Sequence, residues 1–177
     1  MRSLYKAIDE GCYFITSSVV EMMPVFINEK YFSILVNALK FCKDEKGLKI
    51  FHYVIMDNHF HMIVSGDNLS GIISSLKRHT ARELIKQLKK DNKGWLLNCF
   101  SEYKKIYKKE SNYQVWQEGF HPQIISSNKM LLQKIEYIHF NPVKRGLVNE
   151  PEYWKYSSAC NIDGDNRDII PLDEIII

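Results

Sequence analysis

The run Met56-Asp57-Asn58-His59-Phe60-His61-Met62-Ile63-Val64 places two histidines two residues apart inside an apolar stretch that favours extended backbone. In a strand, alternate side chains share a face, so His59 and His61 point one way and Phe60, Met62 and Val64 the other. Two neutral imidazoles side by side on a rigid face can begin a divalent-metal site that needs one or two further oxygen or nitrogen ligands. The pair equally fits one buried, hydrogen-bonded histidine and one surface histidine on an ordinary strand.

A second group of residues lies further along the chain. The spacing predicts a helix from Asn128, as cap, to about Asn141, ending there because Pro142 disfavours the helical conformation in the residue before it. Leu131, Ile135 and Ile138 form its apolar stripe, while Lys134, Tyr137 and Asn141 stand together on another side. The amide oxygen of Asn141 can ligate a hard cation, and Tyr137 lies one turn away. Docking this helix would therefore bring both a nucleophile and a third ligand to the histidines. Tyr137 also fits a half-buried surface aromatic, and Asn141 a helix-end residue before proline.

The third feature is charge. The chain is +3 overall, but Ser75 to Lys109 holds eleven Lys or Arg against Glu83, Asp91 and Glu102, a local +8, whereas Asn149 to Ile177 holds seven acidic residues against Lys155 and Arg167, a local −5. With Trp95, Phe100, Tyr103 and Tyr107 interleaved, the basic block suits a phosphate backbone with bases to stack on. A solvated helix face followed by a loop has the same composition.

The elements that must position these residues are legible in order. Cys12–Val20 reads as a strand, and Pro24 breaks the chain after it. Asn28 can cap a helix from Glu29 to about Lys46, with Phe32, Leu35, Val36, Leu39 and Cys42 on one face and Gly47 as the stop. Leu48–Met56 is a second strand, turning at Asp57-Asn58 into the histidine strand as an antiparallel hairpin. Leu69 to about Lys90 is a second helix. Asp91–Asn112, with weak periodicity and much Lys, is expected to be a partly ordered insertion, and Tyr113–Ile125 an irregular or edge strand because of Gly119 and Pro122. The order β-α-β-β-α-β predicts an α+β, ferredoxin-like split βαβ fold: a four-stranded antiparallel sheet with helices on one face, plus the C-terminal helix bearing Tyr137.

At 177 residues, 45% of them apolar, the chain suits one domain, taken as residues 1–162, with a tail at 163–177 that can add a strand or dock. No stretch approaches the ~20 apolar residues of a membrane span, no signal-peptide pattern is present, and four scattered cysteines lack a C-x-x-C pair, so a cytoplasmic protein with reduced thiols is expected.

The histidine run resembles the histidine-hydrophobic-histidine (HUH) motif of single-tyrosine transposases. Tyr137-Ile138-His139-Phe140-Asn141-Pro142-Val143-Lys144-Arg145-Gly146-Leu147-Val148 is similar to their tyrosine helix, most closely that of the REP-associated tyrosine transposases. Trp116-Gln117 and Trp154-Lys155-Tyr156-Ser157-Ser158-Ala159 resemble the same branch, so the likeness spans roughly Cys12 to Ile162. It implies a metal-dependent single-stranded DNA endonuclease and transposase that cleaves and rejoins DNA through a 5′-phosphotyrosine. His59, His61 and Asn141 would hold Mg²⁺ or Mn²⁺, and Tyr137 would be the nucleophile. Lys77, Arg78, Arg82, Lys86, Lys144 and Arg145 would contact single-stranded or hairpin DNA, with the protein a monomer or homodimer. Asp57 stands where many relatives have proline, and related insertion-sequence enzymes often have glutamine where this chain has Asn141. Two other classes remain open. A non-catalytic nucleic-acid-binding module of the same fold has no need of paired histidines and a tyrosine brought together. A small metallohydrolase would want a base for water, and only Asp57 lies near the pair.

Overall fold

Alternation of apolar residues begins the sheet. In β1 (Tyr13–Ser18), Tyr13, Ile15 and Ser17 are buried on one face, and Phe14 and Thr16 point to the other. The computed structural model describes residues 11–105, 111–161 and 169–175. Tyr107, Lys108 and Lys109 of the basic block, the acidic residues Asp163, Asp165 and Asp168, and Ile176 and Ile177 lie outside the described residues. The remaining elements are α1 (Glu29–Lys46), β2 (Lys49–Ile55), β3 (His59–Ser65), α2 (Leu69–Lys90), α3 (Gly94–Glu102), β4 (Gln123–Ile124) and α4 (Asn128–Lys144).

The strands pair antiparallel in the order β2-β3-β1-β4. Met56, Asp57 and Asn58 turn β2 into β3, closed by the Met56 N–H donating to His59 C=O at 2.8 Å. The sheet is therefore the antiparallel α+β sheet expected from the order of elements.

Its two faces bury different helices. Ile15, Ile50, Tyr53, Phe60, Met62 and Val64 pack with Leu35 and Leu39 of α1 and Leu76 and Leu84 of α2 in the larger core. On the other face, Phe51, Val54 and Ile63 pack with Leu131 and Ile138 of α4. A bulge at Phe51 lets β2 place Ile50 in one core and both Phe51 and His52 on the other side. So α1 and α2 share one face, and the tyrosine-bearing helix lies alone on the other.

Caps set the ends of α1: the Asn28 side chain accepts the Lys30 N–H, and Gly47, at φ 67°, takes the left-handed turn that ends the helix. The end of α4 differs from expectation. Its cap is Ser127, and the helix continues through Pro142 to Lys144. Proline sits in the last turn, where its missing N–H opens one rung, while the true stop is Gly146 at φ 69°. Gly146 N–H reaches Val143 C=O and Leu147 N–H reaches Pro142 C=O, the paired bonds of a Schellman end. Burial of Asn141 and Pro142 outweighs the local preference for an extended residue before proline.

The Lys-rich insertion is also more regular than its pattern: α3 forms because Leu96 and Phe100, one turn apart, are both fully buried. Residues 113–125 run mostly without ladder bonds, touching the sheet at the Val19–Trp116 bridge and at β4, as Gly119 and Pro122 suggested. Residues 169–175 return to the β2 edge, where the Asp173 carboxylate accepts the Ile50 N–H at 2.7 Å and Ile170 is buried in the larger core. Among the described residues, no helix is long and apolar enough to cross a membrane, and the four cysteines are free.

Candidate active site

Strand register builds the first half of the site. In β3 the α4-facing positions are His59, His61 and Ile63, and β1 sets Ser18 opposite His59 and Thr16 opposite His61. Two imidazoles thus stand on a floor of small hydroxyl side chains, with ring centroids 4.7 Å apart. Helix α4 crosses this floor and adds Tyr137, Asn141, Lys144 and, just past its end, Arg145. Together with Met22, these residues line a pocket of about 380 Å³.

Hydrogen bonds select which nitrogen of each ring faces the pocket. The Asn58 amide N–H donates to Met22 C=O at 2.7 Å, which turns Asn58 Oδ1 toward His59 Nδ1, 2.6 Å away. His59 must then carry its proton on Nδ1, leaving the Nε2 lone pair free. Thr16 Oγ1 lies 2.7 Å from His61 Nδ1 and orients that ring, its hydroxyl able to donate or accept. Such outer partners fix tautomer and ring orientation in metal-binding histidines.

Both rings are 5–6% exposed. Burial pushes the His61 pKa down to about 3, helped by the neighbouring His59 and by Lys134. His59 is lowered first by burial and then by the Arg145 guanidinium, against an opposing pull from Asp57. Both imidazoles are therefore neutral near pH 7, the form that ligates metal. Asn141 is buried beside them, and its side chain weakly opposes the lowering of the His59 pKa. Among the described residues, no group of three or more His, Cys, Asp or Glu side chains is clustered to hold a metal. A cation here would depend on two imidazole nitrogens and the Asn141 oxygen, a mixed nitrogen and oxygen set open to a divalent ion.

Tyr137 closes the pocket. Its hydroxyl is 3.5 Å from His61 Nε2, the outer limit of a hydrogen bond, and its ring stands edge-on to Phe14 and His61. It remains 39% exposed, so a substrate can reach the oxygen. Lys144 Nζ lies 5.6 Å from the ring centroid, and Arg145 reaches Asp57 at 3.3 Å.

Six of the ten residues marked in the sequence are thus brought together: His59, His61, Tyr137, Asn141, Lys144 and Arg145. The other four are not among them. Lys77, Arg78, Arg82 and Lys86 line a larger groove of about 1130 Å³ between α2 and residues 111–120, with Tyr113, Trp116 and Phe120 on its far wall. Lys77 spans that groove, donating to Gln117 and Gly119 carbonyls. The two depressions share no lining residue, but their walls are joined at the end of β1, where the Gln117 N–H donates to Ser18 C=O. Thr16, Ser18 and Asn58 were missed in the sequence. Only the β1–β3 register, which pairs Thr16 with His61, could have exposed the first two.

No protein-family model matches the chain. Over 152 residues it is 26% identical to a Haemophilus influenzae protein assigned as a REP-associated tyrosine transposase, covering 84% of this chain and 79% of that protein. The solved structure of a REP-associated tyrosine transposase bound to a REP hairpin superimposes with a TM-score of 0.67 at 19% identity, covering 100% of this chain and 92% of that one. In sequence and in fold, the chain resembles the REP-associated tyrosine transposases.

Proposed function

We propose that the protein is a tyrosine transposase that cuts and rejoins single-stranded or hairpin DNA. The observation that carries this reading is the convergence of the Tyr137 hydroxyl, two pre-oriented neutral imidazoles and the Asn141 amide in one pocket rimmed by Lys144 and Arg145. The likeness to a REP-associated transposase, and the hairpin bound to the similar structure, support DNA as the substrate.

In the proposed reaction Tyr137 Oη attacks a backbone phosphorus. The Tyr–O–P bond forms, the P–O3′ bond breaks, the phenol proton passes to solvent and the 3′-oxygen leaves as a hydroxyl. The 5′-phosphotyrosine conserves the bond energy, so the reverse attack by a 3′-hydroxyl rejoins the strand. His59, His61 and Asn141 would hold a Mg²⁺ or Mn²⁺ ion, which would supply Lewis-acid polarisation of the phosphate. Lys144 and Arg145 offer cations to the phosphate oxygens, and Arg145 can exchange its Asp57 carboxylate for one of them. Lys77, Arg78, Arg82 and Lys86, with the groove aromatics, hold the flanking nucleic acid by phosphate contacts and stacking. A strand leaving the pocket past Ser18 enters that groove beside Gln117.

Incubation of the protein with short single strands and hairpins plus Mg²⁺, resolved on a denaturing gel, tests the reading. A covalent protein–DNA band is expected. Tight binding with no covalent band at any metal concentration makes the protein a nucleic-acid-binding module instead.

A further inference from the structure

The Trp154–Ala159 segment does not reach the pocket, yet it is tied to the helix that carries the nucleophile. It lies along the free edge of β2: Ile55 N–H donates to Tyr156 C=O at 2.8 Å, Trp154 Nε1–H donates to Ile55 C=O at 2.9 Å, and Ser157 bridges Val54. At Ser158 the strap changes partner. The hydroxyl accepts the Tyr53 N–H at 3.0 Å and donates to Tyr53 C=O at 3.2 Å. Its remaining lone pair faces His139 Nε2 of α4, 3.1 Å away. With one proton and two lone pairs, this arrangement satisfies the oxygen completely when His139 is the donor.

The position of His139 on α4 gives that bond its consequence. At 100° per residue, the apolar stripe of Leu131, Ile138 and Pro142 is the line of contact with the sheet, and Tyr137 and Asn141 lie on one flank of it. His139 lies on the opposite flank. Burial of an apolar stripe is non-directional and sets the roll of a helix on a sheet only as closely as its packing allows. A directed bond on one flank fixes the roll, and so the placement of the other flank. The tyrosine oxygen stands roughly 9 Å from the helix axis, so a 10° roll moves it by about 1.5 Å. Displacements of about 1 Å cost reactions of this kind roughly a hundredfold in rate.

We propose that His139 and Ser158 are positioning residues, a strap-to-helix bond that sets the roll of α4 and thereby holds Tyr137 in line for attack. The proposal rests on Tyr137 being the nucleophile. It also gives the tryptophan-to-serine box a physical role, since the box caps the β2 edge and presents one saturated hydroxyl to the tyrosine helix.

Three variants and two readouts test it. His139→Phe keeps a ring of similar size and removes the donor. His139→Gln restores an N–H at the same reach. Ser158→Ala removes the acceptor from the other side. His139→Phe and Ser158→Ala are expected to bind DNA with the parent's affinity and to form the covalent adduct 10- to 100-fold more slowly in single turnover, with KM unchanged. His139→Gln is expected to recover most of the rate. A parental adduct rate in both loss variants overturns the proposal, as does an equal loss in His139→Gln. The second readout needs no activity: 3-fluorotyrosine at position 137 should give one ¹⁹F resonance in the parent and in His139→Gln, and a shifted or broadened one in His139→Phe. An unchanged resonance there overturns the proposal even where the parent forms no adduct, whereas a missing parental adduct with a shifted resonance overturns only the assignment of Tyr137.

Discussion

His52 links the docking of α4 to pH in a way that can be measured without any substrate. It sits on the α4-facing side of β2, its ring 5.4 Å from that of His139, and its Nδ1 is buried with no hydrogen-bond partner among the described residues. Burial, with His139 beside it as a like charge, pushes its pKa down to about 4. In the unfolded chain an ordinary histidine titrates near 6.5. Between those values the unfolded state binds the proton and the folded state does not, so the contribution of His52 is fully present above pH ~6.5 and is lost as pH falls toward ~4. The full shift corresponds to roughly 3 kcal/mol, and integration from pH 7.5 down to 5.0 gives a loss of about 2 kcal/mol. His52→Leu removes both the titration and the orphaned nitrogen. It should match or exceed the parent by up to about 1 kcal/mol at pH 7.5, because a buried nitrogen without a partner carries a desolvation cost that Leu does not. At pH 5.0 that margin should widen by about 2 kcal/mol. Urea unfolding of both proteins at the two pH values measures the difference. Parallel losses in parent and variant would refute the assignment of acid sensitivity to this site.

Two further outcomes are expected. Thr16→Val, nearly isosteric on a strand, removes the partner of His61 Nδ1 and frees the ring to change tautomer, so Mn²⁺ affinity measured by calorimetry should fall 10- to 100-fold; an unchanged affinity would separate Thr16 from the metal site. Replacing Arg78, Arg82 and Lys86 together by Gln should weaken single-strand binding and lower the slope of log affinity against log salt by up to about 2, given about 0.7 per phosphate contact; an unchanged slope would assign those side chains to a solvated face.

Most of the fold could be read from the sequence because the local signals agree. Asn28 and Gly47 bracket one helix, the apolar spacing from Leu69 marks the next, and the alternation through His59–Ser65 matches a strand with two different faces. Where local signals compete, the reading failed. Pro142 looked like a helix stop, but tertiary burial carried α4 past it to the Schellman end at Gly146, and α3 hid in a lysine-rich stretch because only Leu96 and Phe100 anchor it. The pocket was legible as residue types on one strand face and one helix flank. The supports were not: Thr16, Asn58 and Ser158 act through pairings 45, 36 and 105 residues distant in the chain, a scale that no local spacing encodes. The basic block, legible only as charge and aromatics, forms with residues 111–120 a depression separate from the histidine pocket.

The measurement that bears most directly on the central claim is covalent capture of DNA by Tyr137→Phe. The substitution removes one oxygen and keeps the ring contacts with Phe14 and His61. The variant should fold, bind Mn²⁺ and bind hairpin DNA as the parent does, and form no covalent adduct, because among the described residues no other tyrosine lines the His59–His61 pocket. A Tyr137→Phe protein that still forms a 5′-linked adduct, with the linked peptide mapping to Tyr113, Tyr153 or Tyr156, would contradict the claim and leave α4 as structural support.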